Sequence, residues 1–158
     1  LFNQLSQLIA NQLDDYQSAG LISISEDKKW INLDLRSGLL FDTGQYELTN
    51  DAVAILISIT ELLKQFKYSI VVEGHTDDLP INSIKYTTNW HLSSERASSV
   101  VDEMIFRGIP AEYIAPMGFS SFKPQVRNTN EFAREQNRRV TLKISKTDGV
   151  GVYDLLFK

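Results

Sequence analysis

"VEGHTDDLPINSIKYTTNWHLSSERASSVV", residues 72–101, sets the architecture because it holds a strand end, a polar knot and a helix in one run. Upstream of the knot, Ser69 to Glu73 is short, β-branched and almost continuously apolar, which fits a central strand buried on both faces. Gly74 is the expected turning point. Downstream, Ala97, Val100, Val101, Met104 and Ile105 share one face of a helix predicted from about Asn89 to Phe106, with Gly108 as its C-terminal stop and Pro110 preventing continuation.

Working outward, Leu5, Leu8, Ile9, Leu13 and Tyr16 recur on a helical period over residues 2–16, and Gly20 closes that segment. Residues 21–25 and 30–36 flank a polar tetrapeptide. Ile31, Leu33 and Leu35 alternate with Asn32, Asp34 and Arg36, as in a half-buried hairpin strand. After a loop at residues 41–44, Thr49 or Asn50 caps a helix whose stripe is Ala52, Leu56, Ile59, Leu63 and Phe66. A short strand at 114–117, a polar loop to Asn130, one or two helical turns at 131–136 and a strand carrying Val140, Leu142 and Ile144 complete the pattern. Helices alternating with strands behind a hairpin predict an α+β fold, a mixed sheet with helices packed on it.

The 158 residues are 42% hydrophobic and 23% charged, enough for one domain with a real core. A net charge of −4 and the absence of a dense Lys/Arg cluster argue against a nucleic-acid partner. With no cysteine there is no disulfide, thiol nucleophile or thiolate metal site. The chain opens at Leu1 without a basic leader and holds no long apolar run, so it reads as a piece of a longer protein.

The knot at His75, Asp77 and Asp78 poses the question of catalysis. On an extended chain His75 and Asp77 point to the same side, as a two-ligand metal clip would require. A transition-metal site needs three or four ligands, and the chain has only two histidines, so Asp78, His91 or distant carboxylates would have to complete it. We therefore expect no metal and no cofactor. A hydrolase reading would pair Ser93 or Ser120 with His75 and Asp77, but "GFSSF" at 118–122 is not a nucleophile elbow. Asp77 and Asp78 alternate sides and make no acid/base dyad. Catalytic residues are expected to be absent.

"VVEGHTDD" from Val71, "NWHLSSERASSVV" from Asn89, "GIPAEYIAPMGFSSFKP" from Gly108 and "NRRVTLKI" from Asn137 resemble, in order and spacing, the motifs of the OmpA-like peptidoglycan-binding domain. "LLFDTGQYELT" from Leu39 resembles that family's first loop and helix entry, so the likeness covers roughly residues 30–145. The long "LPINSIKYTTNW" insertion is most similar to flagellar stator subunits of the MotB/PomB kind, although His91 stands where stators more often carry an acidic residue.

This resemblance implies a βαβαβ sheet over residues 21–148, an extra amphipathic helix at 1–20 and a tail at 149–158. It implies a non-catalytic periplasmic anchor of a protein held in the bacterial inner membrane, as part of a flagellar motor or of a related motor-like or outer-membrane assembly. The partners it implies are peptidoglycan, a second copy of the chain and, through a membrane segment outside these residues, an ion-channel subunit. Asp77 and Arg96 occupy the positions that hold the ammonium and carboxylate of diaminopimelate in the family, surrounded by Phe41, Asp42, Thr76, Asn89 and Arg138. Each assignment has a plainer alternative. Asp77 and Arg96 could form a structural ion pair; His75 is expected to be a hydrogen-bonded structural residue; Trp90 could stack on sugar or staple the long loop, with the staple favoured. Arg138, read as sharing a strand face with Val140 and Leu142, is expected to pair with a carboxylate or wall the pocket. The N-terminal stripe could pack on this domain or serve dimer association, the latter favoured.

Overall fold

The computed structural model describes residues 2–81 and 85–158; residues 82–84 of the predicted insertion lie outside the described residues. Five strands form one mixed sheet in the order β1-β2-β5-β3-β4. The predicted hairpin is β1 (Ile22–Glu26) against β2 (Trp30–Arg36), antiparallel. Its turn is fixed by Asp27, whose Oδ1 accepts the N–H groups of Lys29 and Trp30, both at 2.8 Å. Next in the sheet, β5 (Arg139–Asp148) lies antiparallel to β2 and also to β3 (Tyr68–His75). The outer strand β4 (Ile114–Gly118) runs parallel to β3, which requires a crossover, here α5 (Asn89–Phe106). The alternation read from the sequence becomes a cross-strand ladder: Ile31, Leu33 and Leu35 pair with Ile144, Leu142 and Val140, and all six are buried.

Helix α4 (Asn50–Leu63) begins where Thr49 Oγ1 accepts the Ala52 N–H at 3.1 Å, and buries Ala52, Ile55, Leu56, Ile59 and Leu63 against the sheet. Each large aliphatic side chain so buried contributes about 1.5–3 kcal/mol. Helix α5 is capped by Thr88, whose hydroxyl accepts the His91 N–H at 3.3 Å. It ends in the two reverse bonds of a Schellman turn, Gly108 N–H to Ile105 and Ile109 N–H to Met104, with Gly108 at φ 123°. Ile105 was expected on the buried face but is 37% exposed, since the face through Ala97, Val100, Val101 and Met104 already fills the contact.

Gly74 is not a turn. It lies within β3, and a Cβ there would stand 2.0 Å from the Ser93 carbonyl oxygen, so its role is to let α5 press onto the strand. Gly118 does the same from β4, where a Cβ would come within 2.6 Å of the Ser94 nitrogen. Between them these glycines bring the first turns of α5 down onto the ends of the two parallel strands.

The N-terminal segment is two helices, α1 (Phe2–Gln12) and α2 (Asp14–Ser18), and Gly20 follows at φ 75°. Most of the stripe favoured for dimer association is spent internally: Leu5, Ile9 and Leu13 are buried in the same core as the sheet and α4 and Tyr16 packs against it, whereas Leu8 is 49% exposed. Residues 149–158, expected as a tail, contain α7 (Val152–Phe157), joined to β3 by the Ser69 hydroxyl donating to the Val150 carbonyl. Among the described residues no helix is long and apolar enough to cross a membrane.

Candidate functional site

Where β3 ends, the chain carries Thr76 and Asp77 outward beside the N-terminus of α5. The Thr76 N–H donates to the Ser120 carbonyl at 2.9 Å and its hydroxyl to the Asp77 carbonyl, fixing the backbone of the knot. Asp77 Oδ1 accepts the Leu79 N–H at 3.0 Å, which shapes the turn, and Oδ2 accepts from Arg138 Nη1 at 2.6 Å. Asp78 points elsewhere, to Arg134 at 3.1 Å, so the adjacent carboxylates do diverge.

Arg138 is not a member of the last strand. It sits between α6 (Glu131–Asn137) and β5, with its N–H on the Arg134 carbonyl, and its guanidinium bridges Asp77 and Glu131, the latter at 2.7 Å. Both expectations for Arg138 hold at once, for it pairs with a carboxylate and also lines the pocket. Burial alone would loosen its proton, but the hydrogen bonds and charges of Asp77 and Glu131 together outweigh that and hold it more firmly than usual. Asn137 sets its position. Fully buried, Asn137 accepts the N–H groups of Gln125 and Val126 and donates to the Val126 carbonyl, which pins the preceding polar loop.

Arg96, about two turns into α5, is 7% exposed. Its Nε donates to the Gln45 carbonyl at 2.8 Å and its Nη2 to the Asp42 carbonyl at 3.3 Å, while the guanidinium lies 4.8 Å from the centre of the Phe41 ring. None of these partners is charged. The alternative of an Asp77–Arg96 ion pair is not what forms: Asp77 is taken by Arg138, and among the described residues Arg96 meets two carbonyls and a ring. Burial pushes the Arg96 guanidinium down to about 10, with Tyr86 opposing and the Arg138 charge adding to the fall.

These groups surround a pocket of about 460 Å³. Thr76, Asp77, Arg96 and Arg138 line it together with Phe41, Thr43 and Asn89, and Leu79, Pro80 and Ile81 supply its apolar wall. Asn89 keeps that wall in place by donating to the Leu79 carbonyl at 3.0 Å. Asp42 contributes through its backbone alone; its side chain is exposed and outside the lining. Glu131, Ser37 and Gly38 also line the pocket without having been expected. For Glu131 the available signal was its spacing of seven from Arg138, two turns of one helical face; for "SG" at 37–38 there was none.

His75 is 4% exposed, holds Glu73 through Nε2 at 3.0 Å and stacks on Phe119, as a structural residue would. The Ser93 hydroxyl donates to the Trp90 carbonyl and accepts the Ser120 N–H, so it is a brace between α5 and the 119–122 turn. Among the described residues no three His, Cys, Asp or Glu side chains are grouped to hold a metal ion. Trp90 staples a different loop from the one expected, stacking on Phe122 at 5.5 Å. The long loop is tied instead by Lys85, which reaches Glu47 and Gln45 and lies over Tyr46.

A family profile for OmpA matches residues 40–138, a span that contains Phe41, Asp77, Arg96 and Arg138. The chain belongs to the OmpA family. This OmpA-family chain is 33% identical over 147 residues to the uncharacterized protein YtxE of Bacillus subtilis, covering 92% of the chain and 60% of that relative. It is 30% identical over 112 residues to Motility protein B of the same organism, covering 70% of the chain and 43% of that relative. The chain thus spans roughly half the length of these relatives. Among solved structures, the cell wall anchor of the T6SS from Pseudomonas aeruginosa superposes with a TM-score of 0.80 at 26% identity, over 87% of this chain and 96% of that one.

Proposed function

We propose that this domain is a non-catalytic anchor that grips the diaminopimelate residue of a peptidoglycan stem peptide. The observation that carries the reading is Arg96, a buried cation with no acidic partner among the described residues, lining a pocket that also exposes an edge of Asp77. A buried guanidinium satisfied only by carbonyls is costly, and an incoming carboxylate forming a bidentate pair would offset that cost. Asp77 keeps lone pairs free beside Leu79 and Arg138, so the ligand's ammonium can share it. The amino and carboxylate groups on the distal carbon of diaminopimelate match these two neighbours, and Asn89 and Thr76 border the same space.

The likeness to Motility protein B supports placing this anchor in the periplasmic part of a flagellar stator. In that assembly the inner-membrane segment and the contact with an ion-channel subunit belong to parts of the whole protein outside this chain. A second copy would meet this one through a surface other than the Leu5, Ile9 and Leu13 stripe. The likeness to a T6SS cell wall anchor favours a second reading, the same grip on the wall serving a different apparatus. Co-sedimentation with purified diaminopimelate-type sacculi tests the shared claim. The protein is expected to pellet with sacculi, and Asp77→Asn and Arg96→Met to stay in solution. Sedimentation of both variants at the unmodified level would refute the grip.

A further inference from the structure

Arg36 ends β2 with its backbone tied to both neighbours: its N–H donates to the Leu21 carbonyl, and it stands opposite Arg139 in the sheet. Its side chain is half-buried, yet it makes no hydrogen bond, ion pair or ring contact among the described residues. Arg96, Arg134, Arg138 and Arg139 all donate to oxygens. Arg36 instead lines two hollows, one beside Asp34 and Arg139 and the other a groove of about 510 Å³ whose lining also includes Thr43, Thr49, Asp51, Glu135 and Arg138. That groove shares Gly38, Thr43 and Arg138 with the pocket holding Asp77 and Arg96. Gly38 is the saddle between them. A Cβ built on it meets nothing within 4 Å, so the passage over it is open.

We propose that the groove beyond Gly38 is a second subsite, in which Arg36 takes another carboxylate of the same peptide whose diamino acid fills the first pocket; this rests on the function proposed above. The open guanidinium selects the ligand, and the acidic walls limit its charge. Arg138 already holds Asp77 and Glu131, so Arg36 is the cation of the groove with its donor fork open to a planar carboxylate, while Asp51 and Glu135 in the same lining oppose any further negative charge. Such a groove suits one negative charge flanked by peptide N–H donors and disfavours a phosphate dianion. Because the hollows share three residues, one or two peptide residues at about 3.3–3.6 Å each bridge them. Two sources fit: the free α-carboxylate of a γ-linked glutamate before the diamino acid, or the terminal carboxylate of an alanine after it.

Calorimetric titration separates them. The ligands are free meso-diaminopimelate, the tetrapeptide L-Ala-γ-D-Glu-meso-diaminopimelyl-D-Ala, and that tetrapeptide amidated at either the glutamate or the terminal carboxylate. Amidation at one of the two positions is expected to weaken binding about three- to ten-fold, as befits a partly solvated ion pair. Arg36→Gln is expected to erase that difference while leaving free diaminopimelate unaffected. Gly38→Ala, whose Cβ meets no atom within 4 Å, and the bulkier Gly38→Leu are expected to lower the affinity for the tetrapeptide progressively toward that for free diaminopimelate. Equal affinities for the three tetrapeptides, or a difference that survives in Arg36→Gln, would overturn the second subsite and leave the first pocket standing. No binding of free diaminopimelate or of any peptide would overturn both.

Discussion

Replacing Arg96 with Met tests whether this side chain exists for the ligand or for the fold. The guanidinium is held at about 10, well below its ordinary range, which corresponds to about 3 kcal/mol of uncompensated charge burial. That penalty is present in full at every pH below about 10, where folded and unfolded chains both carry the proton, and is relieved as pH rises from there toward the ordinary guanidinium range. Met removes the charge and keeps much of the volume. Against this gain, the Gln45 carbonyl loses its donor, at about 1–3 kcal/mol, and the contact over Phe41 loses about 1 kcal/mol. The opposing effects cancel to within about 2 kcal/mol, so in differential scanning fluorimetry the midpoint should move by less than about 8 °C. Meso-diaminopimelate at 100 times its Kd should stabilise the unmodified protein by about 2.7 kcal/mol, a rise of roughly 5–10 °C, and should not shift the Met variant. A variant that melts more than about 10 °C early would make Arg96 a structural residue. A variant that keeps the ligand-induced rise would show that Arg96 does not meet the ligand.

Gly74→Ala places a methyl 2.0 Å from the Ser93 carbonyl oxygen, so the α5–β3 contact must open; a loss of at least about 3 kcal/mol in urea unfolding is expected, and a loss under 1 kcal/mol would contradict the packing described. Ile9→Ala empties a fully buried site and should cost about 2–5 kcal/mol independently of protein concentration; concentration-dependent melting would return α1 to a dimer interface. Asp77→Asn removes the charge facing Arg138 while Glu131 still holds that arginine, so stability should fall by about 1 kcal/mol while diaminopimelate binding is lost; retained binding would exclude Asp77 as the ammonium partner.

Much of the fold was legible because apolar residues recur at the period of their element. The stripe of α4, the bounds of α5 and the Ile31–Leu33–Leu35 alternation all follow from burial on one face, a property local to the sequence. What was not legible depends on neighbours distant in the chain. Gly74 looks like a turn in sequence and becomes a close approach only when Ser93 arrives on top of it. The break at Leu13 and the helix at Val152–Phe157 lie in short segments where packing against the sheet outweighs local preference. In the site, motif resemblance located Asp77, Arg96 and Arg138, but not the pairing among them. Asp77 and Arg138 are 61 residues apart, and only the docking of α6 beside β3 makes them partners. The carbonyls of Asp42 and Gln45 are silent in any side-chain pattern, yet they are what holds Arg96 without neutralising it.

The most direct test of the central claim is the affinity of the unmodified protein for two matched stem peptides, one carrying meso-diaminopimelate and the other lysine at the same position. Both offer Asp77 an ammonium, and only the first offers Arg96 a carboxylate. Losing a hydrogen bond to a charged group costs about 1.5–3 kcal/mol, so the diaminopimelate peptide should bind roughly 10- to 150-fold more tightly. In Arg96→Met that ratio should collapse to near one through loss of affinity for the diaminopimelate peptide alone. Equal affinities of the unmodified protein for the two peptides would contradict the account, because Arg96 would then not be reading the carboxylate.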